Sequence, residues 1–212
     1  MSGLAELLGR RVRAARPWRR DLWLATARAR ARFAAFVVLA GCALGELPTR
    51  AVGQASREYD VKAALLFNFT RFVEWPQEAG VHPDTPFVIG ILGQDPFGPV
   101  LDEIVRNERC FGRPIKVERY RNVEAARNSQ ILFVSAGEEA NLPRILRVLR
   151  GRPVLTVGDF EGFAAGGGMI RFIKEPTGKI QLRINLEAFK ANGLTVSAKL
   201  LRVAEVAGTL QK

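Results

Sequence analysis

The chain carries one histidine, His82, in the loop Val81-His82-Pro83-Asp84. A Ser-His-Asp or Cys-His relay would have to use it, and no nucleophile-elbow sequence accompanies it. There is no HExxH, no CxxC and no Cys/His cluster. The sequence therefore implies no zinc site and no cofactor. Asp102-Glu103 and Glu138-Glu139 are carboxylate pairs on predicted helices. Neighbouring helical positions diverge around the axis, so these pairs read as solvated faces rather than an acid and a base. No catalytic residue is assigned, and the expectation is a protein that is not an enzyme.

Binding chemistry has more support. Gly90, Gly93 and Gly98 mark a strand-loop-helix junction, where nucleotides bind in doubly wound folds. The spacing is neither GxGxxG nor a phosphate-binding P-loop. The glycines serve the turn, yet a small ligand could meet a helix N-terminus here, beside Asp95 and Phe97. Phe67, Phe69, Phe72 and Trp75 are more aromatics than one helix face needs. Such residues favour the core or the centre of an interface. The loop 159–168 and the hairpin 171–179, with Arg171 and Phe172, are further candidates for contacting a partner.

The elements that would hold these residues alternate. Tyr59 to Pro76 reads as a helix, with Val61, Ala64, Leu65, Phe69, Phe72 and Val73 on one face and Lys62, Arg71 and Glu74 as polar breaks. Pro76 ends it. Strands follow at 86–92, 115–120, 131–135 and 153–157. Between them come helices beginning at Val100, at Val123 and over 138–150. Asp95 is the expected cap of the first, with Pro96 at its first helical position. Residues 169–173 and 179–184 form a hairpin around Glu175-Pro176-Thr177-Gly178, and helices at 185–192 and 197–206 close the chain. The predicted fold is α/β: a single three-layer domain, a mainly parallel sheet flanked by helices, a C-terminal β-hairpin and two closing helices.

Upstream, 33–44 is a short apolar core behind an Arg-rich stretch. That is a secretory signal pattern, too short to span a bilayer, which takes roughly 20 residues. Leu39-Ala40-Gly41-Cys42 resembles a lipobox, which would lipidate Cys42; Gly53-Gln54-Ala55 offers an ordinary cleavage site instead. Both stay open. Residues 43–58 read as linker. The expected organisation is an export segment and linker over 1–55 and one domain over 56–212, periplasmic and either soluble or lipid-anchored.

The charge follows that division. Residues 1–55 hold 10 Arg against 3 acidic residues, and residues 56–212 hold 22 Lys or Arg against 18 acidic residues. Most of the net +11 thus belongs to the export segment. The domain shows no basic run interleaved with aromatics, so a nucleic-acid partner is not expected.

The segment Val61 to Pro76, VKAALLFNFTRFVEWP, resembles the opening of the YfiR family. "PFVIGILGQDPFG", "RPIKVERY", "SQILFVS", "RPVLTVGDFEGFAAGGGMIRF" and "INLEAFKANGLTVSAKLLRVAEV" resemble its later blocks, in family order. The resemblance implies an exported regulator that binds the periplasmic region of an inner-membrane signalling protein. The partner would be a diguanylate cyclase, repressed in cyclic di-GMP signalling, or a sensor kinase. Membrane contact would run through that partner or a lipid anchor. The alternative is a periplasmic small-ligand module with its site at Gly93–Gly98. Relatives suggest a homodimer, and they use disulfides. Here Ser129 stands where a family cysteine is expected, and Cys110 would be the sole free thiol of the mature chain.

Overall fold

The computed structural model describes residues 49–76 and 85–207. Cys42, the apolar stretch 33–44 and His82 lie outside the described residues.

The first helix, α1 (Thr49–Phe72), is longer at its start and shorter at its end than the sequence predicts. It takes in 49–58, expected to be linker. Once a helix is nucleated by packing, adding turns upstream needs little further stabilisation. It stops at Phe72 because Val73–Glu74 (β1) pairs antiparallel with Thr195–Val196 (β9), a partner far away in sequence.

The inward face of α1 is also rotated from the expected one. Ala63, Leu66, Phe69 and Thr70 are buried, while Val61 is 49% exposed. Lys62, taken as an outward polar break, is only 3% exposed. It points inward because charge partners wait there.

The eight-stranded sheet runs β10-β8-β7-β6-β5-β2-β4-β3. Its members are β2 (Phe87–Leu92), β3 (Arg109–Cys110), β4 (Arg113–Tyr120), β5 (Ile131–Val134), β6 (Leu155–Gly158), β7 (Ile170–Lys174), β8 (Ile180–Asn185) and β10 (Ala204–Ala207). The strand pairs are parallel except β7–β8 and β3–β4. Continuous apolar runs such as Ile131–Val134 suit the centre of a sheet covered on both faces. Alternation along β5 shows it: Ile131 and Phe133 enter the core under α1, α2 (Pro99–Val105), α4 (Leu186–Ala191) and α5 (Ala198–Leu201). Leu132 and Val134 join the opposite core under α3 (Leu142–Leu149), with Phe163. The described residues form one α/β domain built in three layers.

Three local expectations change. The segment expected as a helix over 138–150 begins as a 3-10 helix, Ala136–Asn141, before α3. The short helix near Val123 is likewise 3-10, over Ala125–Asn128. The last predicted helix survives only as α5; 204–207 pair parallel with β8 instead. A short apolar run fits either state by pattern, and β8 offers an open row of hydrogen-bonding groups to the strand.

Candidate functional site

At the carboxyl ends of the strands, the Gly93–Gly98 loop is satisfied from within. Asp95 Oδ1 accepts from the backbone N–H of Phe97 at 2.7 Å and of Gly98 at 3.3 Å. Asp95 therefore caps a turn before the helix, and Pro99, not Pro96, opens α2. Arg119 clamps this carboxylate at 2.9 Å and also holds Asp102 and the Gly98 carbonyl. The Arg119 bond holds the Asp102 carboxyl below its usual range, against burial. Ser135 Oγ donates to the Gln94 carbonyl. An anion approaching this loop meets Asp95 where a phosphate cradle would offer free N–H groups. Phe97 is not at the surface: it is buried between Phe133, at 4.8 Å between ring centroids, and Tyr59, at 5.6 Å.

The aromatics proposed for partner contact divide in the same way. Phe69 and Phe172 are buried and stack on each other at 6.0 Å. Burying each such ring contributes roughly 1.5–3 kcal/mol, so these two belong to the core with Phe97 and not to an interface. Phe72 is half-buried against that core. Arg171 is half-buried on the sheet face away from α1, opposite Arg183 on β8. Its Nε is buried without a hydrogen-bond partner.

Under α1 lies a charge cluster that the sequence did not reveal. Lys62 Nζ is 2.7 Å from Asp159 Oδ2 and 2.6 Å from Glu58 Oε1. Tyr59 donates its hydroxyl to Asp159 at 3.0 Å, and Lys174 reaches Glu58 at 2.7 Å. Burial alone would raise the Glu58 carboxyl; hydrogen bonds from Lys174 and Lys62 outweigh it and hold that carboxyl below its ordinary value. Burial, with Asp159 alongside, pushes the Tyr59 hydroxyl up. These groups satisfy one another, and the cluster ties α1 to the ends of β6 and β7.

The open site lies at the opposite edge. A cleft of about 1080 Å³ is lined by the amino ends of β2, β4, β5 and β6, the segment after β1, and the turn before β9. Trp75 is its inner wall. Its indole N–H donates to the Gln130 carbonyl at 3.3 Å, and its ring meets Phe87 edge-on at 5.2 Å. Phe111 stands at the lip, 6.4 Å from Trp75. Arg113 is buried; Nε and Nη2 donate to the carbonyls of Thr85 at 2.5 Å and Pro86 at 2.7 Å. Burial lowers its basicity. Arg127 and Arg152 line the cleft as exposed cations, and among the described residues of its wall Glu74 is the acidic one. Of the sequence candidates, only Trp75 is in this cleft. The others went unnoticed because they flank separate strands and share no motif.

Ser129 also lines the cleft, buried, its Oγ 3.3 Å from the Tyr120 hydroxyl. It packs against Gly90, where an added Cβ would come within 2.7 Å of Ser129 Oγ. Cys110 is buried on β3 and is a free thiol. Among the described residues, no group of His, Cys, Asp and Glu is placed to hold a metal ion, and no helix is long and apolar enough to cross a membrane.

No curated protein matches the chain. Among solved structures, a conserved domain protein from Vibrio cholerae O1 biovar El Tor str. N16961 aligns with 57% of this chain at 12% identity and a TM-score of 0.42. The chain covers 54% of that protein's length. A family model described as YfiR/HmsC-like matches residues 59–205, from Tyr59 at the charge cluster to the last strand of the sheet. By that match, the chain belongs to the YfiR/HmsC-like family.

Proposed function

We propose that the protein is an exported regulator that binds the periplasmic part of an inner-membrane signalling protein and represses a diguanylate cyclase. The observation that carries this reading is the family match over 59–205, which takes in almost the whole described domain. The export pattern in 10–44 supports it. So does the chemistry of the surface, where a large cleft is lined by aromatic and cationic groups suited to binding. Such a protein acts by differential affinity: it binds one conformation of its partner more tightly and shifts the population toward it. A sensor kinase is the other partner class in view.

The test is intracellular cyclic di-GMP in cells with and without the gene. Loss of a cyclase repressor raises the level, and restoring the gene lowers it again. An unchanged level in cells shown to express and export the protein would overturn the cyclase reading.

A further inference from the structure

Resting on that regulator reading, we propose that the cleft at the amino ends of the parallel strands is where the partner docks. Its occupant is an acidic chain segment carrying an aromatic or large aliphatic side chain.

The first argument is unmatched charge. The buried Arg113 guanidinium bonds to the carbonyls of Thr85 and Pro86 and lies over the Phe87 ring; among the described residues no carboxylate pairs with it. Buried charges are ordinarily paired. Arg127 and Arg152 line the same space as exposed cations, Arg127 with Glu124 as an acidic neighbour. Carboxylates would answer all three, because guanidinium presents paired donors that match carboxylate geometry.

The second is Phe111. It is 68% exposed, and its backbone is left-handed at φ 52. For a bulky residue that conformation is disfavoured by roughly 1–2 kcal/mol, and a large ring held in solvent gains nothing from burial. The two-residue turn Phe111-Gly112 between β3 and β4 imposes this conformation, and residues held in such sparsely populated conformations cluster at ligand-binding sites. The ring meets Trp75 edge-on, and the pair forms an apolar patch at the lip beside the cations.

The third is shape. The site is concave and, at about 1080 Å³, stands at the upper end of the roughly 300–1,000 Å³ of small-molecule pockets. A chain segment can enter it; a flat anionic bilayer cannot.

The experiment uses the full chain with Trp18→Phe and Trp23→Phe, which leaves Trp75 as the single indole. Its emission is titrated with the capped peptide Glu-Glu-Phe-Glu-Glu, with Lys-Lys-Phe-Lys-Lys, and with phenylacetate. The expected result is a saturable change with the acidic peptide only. Affinity should drop about tenfold or more in Arg127→Glu/Arg152→Glu, as expected when a favourable charge becomes repulsive. Phe111→Ala, at an exposed position that leaves the core intact, should weaken binding severalfold. Equal binding of the basic peptide, equal binding of phenylacetate, or indifference to charge reversal would each overturn the proposal. In gene-deleted cells, the charge-reversed chain should be exported yet fail to lower cyclic di-GMP. If it restores the level as well as the wild type, the docking site is wrong and the regulator reading stands. If the wild type has no effect on the level, the regulator reading fails, and the peptide titration still decides the cleft's chemistry.

Discussion

Lys62 and Asp159 stand 97 positions apart in the chain and 2.7 Å apart in the fold. Their contact fixes the rotation of α1 on the sheet. It turns Ala63, Leu66 and Phe69 inward, leaves Val61 in solvent, and places the helix end so that Trp75 reaches the cleft.

Lys62→Met should destabilise the fold by about 3–5 kcal/mol, because it strands buried carboxylates without their cation. Urea denaturation measures this. Lys62→Met/Asp159→Leu should lose less than the two single changes added together. Equal stability of Lys62→Met and wild type would show that the cluster does not orient the helix.

The pH dependence has a definite sign. The Glu58 carboxyl is depressed in the folded protein. Its contribution is therefore present above its unfolded value, roughly 4.3, and is lost as pH falls through the lower folded value. The Lys62→Met deficit should be largest near neutrality and shrink in acid. A deficit that grows on acidification would contradict this assignment.

Phe163 fills the space that side chains at two glycines would occupy. A Cβ on Gly158 would come within 2.6 Å of its ring, and one on Gly168 would lie closer still. Gly158→Ala should cost roughly 1–3 kcal/mol through overpacking. Phe163→Leu in the same chain should recover part of that loss, as read from thermal melts. No recovery would mean that the glycine serves the backbone rather than the ring.

Cys110 should be slow to react. Burial pushes its thiol up to about 11, with Arg113 pulling it partly back, and its Sγ lies 3.7 Å from the Thr70 carbonyl. At pH 8 the native thiol is mostly protonated and out of reach. Alkylation at Cys110, followed by mass spectrometry, should keep pace with unfolding in urea. Rapid alkylation of the native chain would contradict the burial of this thiol.

The Gly93–Gly98 loop gives the opposite expectation to a phosphate site. Asp95→Ala removes the acceptor of two backbone N–H groups and one partner of Arg119. It should lower stability by roughly 1–2 kcal/mol. Inorganic phosphate should leave the melting temperature of the wild type unchanged. A rise with phosphate that disappears in a loop variant would revive the small-ligand reading.

Much of the fold was legible because strand runs such as Phe87–Leu92 and Ile131–Val134 are continuous and apolar, and turn residues bound them. The hairpin was legible from Glu175 to Gly178. What escaped depended on distant partners. Lys62 looked outward until Asp159 was found beneath it. Residues 204–206 read as helix until β8 offered them a ladder. Phe69, Phe97 and Phe172 could not be told from interface aromatics by type alone, since core and interface select the same rings. The cleft was the least legible of all. Trp75, Phe111, Arg113, Arg127 and Arg152 meet only because parallel strands bring their amino ends to one edge.

The regulator reading is tested most directly by recovering the partner. The tagged, natively exported protein would be captured from mildly solubilised membranes and its companions identified by mass spectrometry. The expected companion is a membrane protein with a periplasmic region and a diguanylate cyclase domain, reduced in the Arg127→Glu/Arg152→Glu capture. Repeated recovery of no membrane signalling protein, from a chain shown to be folded and exported, would contradict it.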